Sequence, residues 1–182
     1  MKSSSELISE IVEIELKMFL AVPGDGSGSC QQNPGAFKIH RKAQFCIWSN
    51  ETLSSYLADL TRAEQIGDNL MTKKYAIIQG LIPESNNSPH LNDILQIQLD
   101  WQEEMLNNHP KFKGKARPLT DDEAATQLVS FKSYAKGELE TYSEKTLEFL
   151  YRDLKGLLEK DVNGSQEIYT TLVKIASTTQ KN

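Results

Sequence analysis

The sequence is poor in cysteine and histidine, and it has no long apolar run. Its two cysteines, Cys30 and Cys46, are too few for a disulfide framework. No apolar stretch approaches the roughly 20 residues that cross a bilayer. The N-terminal residues also lack the basic segment and apolar core of a signal peptide. These absences predict a cytoplasmic protein with no membrane partner and with reduced cysteines.

The chain also has fewer basic than acidic residues, with 20 Lys and Arg and 25 Asp and Glu, which gives a net charge of −5. Apart from a short run at 111–117, the basic residues are scattered along the chain. A nucleic-acid partner usually requires a basic stripe, so the charge pattern argues against one. The 182 residues, 38% of them hydrophobic, are enough to bury a core and fit one globular domain or two small ones.

The apolar residues recur at helical spacing, and no alternating β-branched run suggests a strand. A capping-box pair, Ser3 and Glu6, precedes the first apolar stripe, and Pro23 with the glycines after it ends that helix. The sequence therefore predicts an all-α fold. Further helices are expected near residues 36–48, 50–65, 69–80, 90–106, 121–142, 143–160 and 164–178.

The chain also contains an internal repeat. When residues 37–75 are placed on residues 131–169, ten of the 39 positions are identical, where composition alone gives about two or three. The first helix matches residues 91–102 at a shift of 83 instead of 94. We predict two related helical units, residues 4–82 and 90–180, joined by a connector at 83–89. They are expected to face each other across a pseudo-two-fold axis and to pack as one domain.

Polar residues interrupt stripes that should be buried. Glu15 lies one turn from the apolar residues of the first helix, and Arg41 and Gln44 lie on the stripe that carries Trp48. Because an isolated buried charge is very costly, these side chains must be paired or hydrogen-bonded. The repeat places Gln98 opposite Glu15 in the alignment. It also places Glu138 and Tyr142 opposite Gln44 and Trp48.

We expect the polar side chains Glu15, Arg41, Gln44, Gln98 and Glu138 to converge between the two repeats. The aromatic residues expected to wall this pocket are Trp48, Trp101 and Tyr142. The pattern favours a small enzyme, or enzyme-like binder, for a small polar metabolite such as an amino acid or amine. Glu15 or Glu138 would act as acid or base, and Arg41 would hold an anionic group. The alternative is a non-catalytic module that acts through a protein partner, with a purely structural polar network.

The remaining candidates for chemistry lie near the glycine-rich segment 24–29. Cys30 is a candidate nucleophile with Gln31 beside it, but it would need a nearby base or a helix N-terminus to lower its pKa. The nearest histidine in sequence, His40, lies about 100° around the helix from Arg41. The glycine segment follows a helix and lacks the Lys-Ser/Thr ending of a phosphate loop, so a flexible, lid-like loop is favoured. Cys46 lies off the Arg41 stripe and is expected in the core.

No cofactor is indicated by the sequence, and metal chemistry has little support. Di-iron bundles use Glu-x-x-His pairs, and no histidine here follows a glutamate at that spacing. A carboxylate-only metal site formed by Glu15, Glu104 and Glu138 is the remaining alternative.

Several stretches together resemble a bacterial domain-of-unknown-function family, number 4125. They include "EIELKMF", "SCQ" followed by "HRKAQF", "WQEEM" and "GEL.TYSEKTL". The resemblance covers most of the chain, and the family pattern carries the glutamate at 15, Cys-Gln at 30–31 and the arginine at 41. The sequence departs from that pattern at 16–17 and 39–40. The resemblance implies a bacterial, cytoplasmic protein and no particular activity.

Overall fold

The computed structural model describes residues 2–23, 33–114, 116–124 and 129–179. In these ranges the chain forms eight α-helices, two short 3₁₀ turns and no strand, which confirms the predicted all-α class. The helices are α1 (Ser4–Leu20), α2 (Pro34–Gln44), α3 (Asn50–Gln65), α4 (Leu70–Ile78), α5 (Leu91–Asn108), α6 (Phe131–Leu139), α7 (Glu144–Leu158) and α8 (Gly164–Thr179). None of these helices carries an apolar stretch long enough to cross a membrane.

The chain divides into two compact units, and their boundaries fall inside helices. The first unit comprises Met1–Lys73 and Glu167–Asn182, and the second comprises Lys74–Gln166. The first unit therefore holds α1 to α3 together with most of α8. The second unit holds α5 to α7 together with the C-terminal half of α4. The first unit is thus completed by a segment that is remote in sequence, whereas the second unit is one continuous stretch of chain.

In the first unit, α1 packs against both α2 and α3. Helix α1 begins as predicted, because the Ser3 and Glu6 side chains form a complete capping box. Its apolar stripe is enclosed, with Ile11 and Val12 fully buried. Near its C-terminal end, the Phe19 ring stacks on the Phe37 ring of α2 at a centroid distance of 4.7 Å. This packing orients the inward face of α2 toward α1.

In the second unit, α5 packs against α6 and α7. Its core includes the fully buried side chains of Ile94, Leu147 and Leu150. Helix α6 approaches α4 at Gly137, where an added Cβ would lie only 2.6 Å from Ile78 Cγ1 and 3.4 Å from the Lys74 carbonyl oxygen. A larger residue at this position would therefore hold the two helices apart.

Helix α6 begins at Phe131, so the helix predicted from residue 121 is too long at its N-terminal end. The preceding loop satisfies the first amides of the helix: the Phe131 and Lys132 N–H groups donate to the Pro118 and Leu119 carbonyls at 2.7 and 3.1 Å. The Ser130 hydroxyl caps the helix, and it also donates to Asp121 at 2.6 Å. These loop contacts set the start of the helix.

Candidate functional site

A buried ion pair joins α1 to α2 in the first unit. The Glu15 carboxylate, which is fully buried, accepts hydrogen bonds from two guanidinium nitrogens of Arg41, with Nε at 2.7 Å from Oε2. The Tyr56 hydroxyl of α3 donates to Glu15 Oε1 at 2.7 Å. A third guanidinium nitrogen, Nη1, donates to Gln44 Oε1 at 2.5 Å. Glu15, Arg41 and Gln44 therefore lie together, as their places on the stripes predicted.

The geometry of this cluster explains why a charged pair is tolerated there. Both carboxylate oxygens of Glu15 are engaged, and the arginine fork contacts them in the bidentate manner that planar guanidinium favours. Arg41 also lies over the Phe45 ring, 4.8 Å from its centroid. Because arginine keeps its proton under all ordinary conditions, Arg41 provides a permanent positive charge beside Glu15.

Aromatic residues line one side of the Glu15–Arg41 pair. Trp48 is buried and meets the Phe45 and Tyr56 rings edge to face, at centroid distances of 4.8 and 5.6 Å. Tyr56 was not among the residues that the sequence singled out. Its position on the buried stripe of α3, between Leu53 and Leu60, was the available signal.

A second buried cluster lies in the second unit, around Glu138 of α6. The Lys74 ammonium donates to Glu138 Oε2 at 2.6 Å, and the Tyr142 hydroxyl donates to Glu138 Oε1 at 2.6 Å. Lys74 is 2% exposed, and its Nζ lies 3.5 Å from the centroid of the Tyr134 ring, a cation–π contact. The predicted pair of Glu138 and Tyr142 is thus joined by two residues that the sequence analysis missed.

The other predicted residues of the second unit lie along α5. Gln98 is partly buried, and Trp101 is buried. Asn163, at the start of α8, donates from Nδ2 to the Trp101 carbonyl at 3.1 Å and to Glu104 Oε2 at 2.9 Å. Glu104 is exposed. Among the residues that the structure describes, no three His, Cys, Asp or Glu side chains are grouped as metal ligands.

The single pocket that the sequence predicts between two repeats stays a prediction. Glu15, Arg41, Gln44 and Trp48 belong to the first compact unit, whereas Gln98, Trp101, Glu138 and Tyr142 belong to the second. The candidate nucleophile Cys30, its neighbour Gln31 and the glycine segment 24–29 lie outside the described residues.

Cys46 lies at the surface of the first unit, so its predicted core position is wrong. The reason is local: α2 ends at Gln44, and the 3₁₀ turn Phe45–Ile47 that follows directs Phe45 inward and leaves Cys46 outside. Partial burial of the thiol raises the pKa of Cys46, and a hydrogen bond with Thr171 opposes that increase. His40 is likewise exposed.

A family model described as "Protein of unknown function (DUF4125)" matches residues 5–179, nearly the whole chain. No curated protein and no solved structure matches the chain.

Proposed function

The chain belongs to the DUF4125 family, and we propose that it is a small bacterial, cytoplasmic enzyme or enzyme-like binder. Its ligand would be a small polar metabolite such as an amino acid or an amine, handled by acid/base chemistry at Glu138. The observation that carries this proposal is the buried set of Lys74, Glu138 and Tyr142. These are three ionisable side chains linked by two hydrogen bonds of 2.6 Å.

The cluster around Glu138 differs from the cluster around Glu15 in how readily its residues exchange a proton. Lysine, carboxylate and tyrosine each exist in protonated and deprotonated forms, so a proton is able to move among them. Buried lysines in particular change protonation state readily, which suits them to general base catalysis. Arginine is not deprotonated in proteins, so Glu15 and Arg41 are better suited to fixing α1 against α2 than to proton transfer.

Two tyrosines give a matched test of this assignment. Tyr142→Phe removes the hydroxyl that donates to Glu138, and Tyr56→Phe removes the hydroxyl that donates to Glu15. A thermal-shift screen of amino acids and primary amines should identify a ligand that raises the melting temperature of the wild type. A ligand at 100 times its Kd stabilises the folded state by about 2.7 kcal/mol.

The expected result is that the ligand-induced shift disappears in Tyr142→Phe and persists in Tyr56→Phe. An equal shift in both variants would assign the ligand to another site. Because each substitution removes one buried hydroxyl that donates to a carboxylate, the two variants lose comparable stability, and the comparison isolates the ligand.

A second candidate is a non-catalytic module that acts through protein contacts, with both clusters purely structural. The observation that favours it is hydrogen-bond saturation: within the described ranges, every buried side-chain nitrogen and oxygen has a partner. Under this reading Glu138→Gln lowers stability, and no compound in the screen gives a melting-temperature shift that depends on Tyr142. A ligand whose effect depends on Tyr142 excludes this candidate.

We also infer that the chain arose by duplication of a four-helix unit. The inference is supported by Asn69 and Asn163, which align at the shift of 94. Asn69 donates from Nδ2 to the Met18 carbonyl at 2.9 Å, and Asn163 donates to the Trp101 carbonyl at 3.1 Å. Met18 and Trp101 align in turn at the shift of 83. In both copies, therefore, the asparagine that precedes the fourth helix donates a hydrogen bond to the same position of the first helix.

A second pair of caps supports the same inference. The Ser49 hydroxyl accepts from the Thr52 N–H at 3.3 Å and lies 3.1 Å from the Thr52 hydroxyl oxygen. Ser143 and Thr146, the residues 94 positions later, make the same two contacts at the same two distances. In both copies the threonine side chain is fully buried.

A further inference from the structure

A polar cavity of about 250 Å³ lies within the second unit, beside the C-terminal end of α6. It is bordered by the connector at 84–88 and by the first turn of α5. Leu91 is the one apolar side chain among its nine lining residues; the others are charged, amide or hydroxyl side chains. None of these nine residues belongs to the Lys74–Glu138–Tyr142 cluster, so the cavity is a separate feature.

Glu140 gives the cavity a fixed negative group. The residue is only 5% exposed, and its Oε2 accepts the backbone N–H groups of Ser85 and Asn86 at 3.0 and 2.9 Å. The connector is itself held in place, because Asn86 Nδ2 donates to the Tyr142 carbonyl at 2.9 Å. The orientation of the carboxylate is therefore set by two amides of a tethered loop.

Glu140 lines the cavity, and its second carboxylate oxygen is Oε1. Within the part of the chain that the structure describes, no donor lies within hydrogen-bonding distance of Oε1. Every fully buried side-chain polar atom there has a partner, so Oε1 is reached by solvent. A carboxylate oxygen on a side chain held in this way favours a positively charged hydrogen-bond donor.

A charged pair, Lys136 and Glu84, also lines this cavity. Lys136 Nζ is 2.5 Å from Glu84 Oε2, and both side chains are partly exposed, by 31% and 52%. Ion pairs of this kind contribute little stability and separate easily. With Glu84, Lys136 and Glu140 together, the cavity carries one net negative charge. It therefore suits a small cation better than a neutral or anionic compound.

We propose that this cavity binds a small organic cation that presents a primary ammonium group to Glu140 Oε1. The amide and hydroxyl lining favours a ligand with further polar groups over an apolar amine. The volume of about 250 Å³ limits the ligand to a small metabolite. The site stands on its own geometry and is independent of the function proposed for Glu138.

The test is a ¹⁵N NMR titration of the full chain with ethanolamine, and with ethylene glycol as the neutral compound of the same size. Ethanolamine should shift the amide signals of Ser85 and Asn86, whose N–H groups donate to Glu140. Ethylene glycol should leave them in place. In Glu140→Gln, which keeps an oxygen for the two amides and removes the charge, ethanolamine affinity should fall about tenfold or more.

Two further variants keep the result interpretable. Lys136→Met removes the competing cation without disturbing Glu140, so it should bind ethanolamine more tightly than the wild type. Tyr142→Phe should bind it as the wild type does, which separates this site from the Glu138 cluster. Equal binding to Glu140→Gln and the wild type would overturn the proposal. So would weaker binding to Lys136→Met, or equal shifts with ethylene glycol.

Discussion

The Lys74 ammonium lies 2.6 Å from Glu138 Oε2, and both side chains are almost completely excluded from solvent. Each charge in such a pair depends on the other, because removing one partner leaves an uncompensated charge in the protein interior. The Tyr142 hydroxyl and the Tyr134 ring add to the interaction but do not replace a lost charge. The stability of the second unit therefore depends strongly on this one contact.

Lys74→Met should lower the free energy of unfolding by about 3–5 kcal/mol, because Glu138 is left buried without its counter-charge. Urea denaturation followed by circular dichroism measures the change. Lys73→Met, one position earlier on the same helix, is the matched control and should change stability by less than about 0.5 kcal/mol. Equal losses in the two variants would show that the ion pair has no special role.

The double variant Lys74→Met/Glu138→Leu should recover most of the stability lost in Lys74→Met, since apolar pairs of similar volume often replace buried ion pairs without loss. A double-mutant cycle gives the coupling energy of the two positions. If the effects of the single substitutions simply add, the two side chains are not energetically coupled. In that case the acid/base role proposed for Glu138 also loses its main support.

Helical periodicity was sufficient to find one cluster and insufficient to find the other. Glu15 lies on the long apolar stripe of α1, and Arg41 lies at helical spacing from Phe37, Phe45 and Trp48, so spacing predicted their burial. Lys74 lies on a helix of nine residues next to another lysine, and so short a helix shows too few turns to decide which lysine points inward. The signal was present in the buried residues at helical spacing around it, Leu70, Met71 and Ile77.

Some helix boundaries are set by local sequence, and others are set by tertiary contacts. The start of α3 at Asn50 follows from its serine cap, which the sequence displays. The start of α6 at Phe131 depends on the Pro118 and Leu119 carbonyls, which accept its first amides across a loop. Contacts between residues that are distant in the chain leave no periodic trace, so the sequence could not reveal this boundary or the tethering of Glu140.

Gly137→Ala should destabilise the protein, even though alanine favours helices over glycine by about 1 kcal/mol. The new Cβ would lie 2.6 Å from Ile78 Cγ1, and the overpacking should cost about 1–3 kcal/mol. Gly156→Ala in α7 is the matched control: nothing lies within 4 Å of its added Cβ, so it should stabilise by about 0.4–1 kcal/mol. Thermal unfolding of both variants gives opposite signs if the close approach of α6 to α4 is correct.

Arg41→Lys should be destabilising although it keeps the charge. A lysine ammonium is a point charge, which does not reproduce the fork that engages both oxygens of Glu15 as well as Gln44. The expected loss is about 1.5–3 kcal/mol, the range for a hydrogen bond to a charged group. Urea unfolding measures it. A loss below about 0.5 kcal/mol would mean that charge alone, and not bidentate geometry, holds α1 to α2.

The Cys46 thiol should react slowly at neutral pH. Partial burial raises the pKa of this thiol, and only the thiolate is nucleophilic, so its alkylation rate should rise at a higher pH than that of an ordinary cysteine. The measurement uses Cys30→Ser protein with iodoacetamide across a pH series, and the urea-unfolded protein supplies the reference curve. Thr171→Val should move the profile further upward, since the Thr171 hydrogen bond lowers the pKa. Coincident folded and unfolded curves would contradict the burial.

Separation of the chain between residues 82 and 83 should give two fragments that fold only when they are mixed. Fragment 1–82 lacks the segment Glu167–Asn182 that belongs to the first compact unit, and fragment 83–182 lacks the part of α4 that carries Lys74. Without Lys74, Glu138 would be buried with no counter-charge. Gly137 of α6 would also lose its neighbour Ile78.

Circular dichroism and size-exclusion chromatography test this expectation. Each fragment alone should unfold without a cooperative transition, and an equimolar mixture should form a 1:1 complex with a single transition. Lys74→Met in fragment 1–82 should weaken the complex, whereas Lys73→Met should not. A cooperatively folded, monomeric fragment 1–82 would show that its four helices suffice without α8. The boundaries of folding would then follow the sequence repeat and not the two compact units.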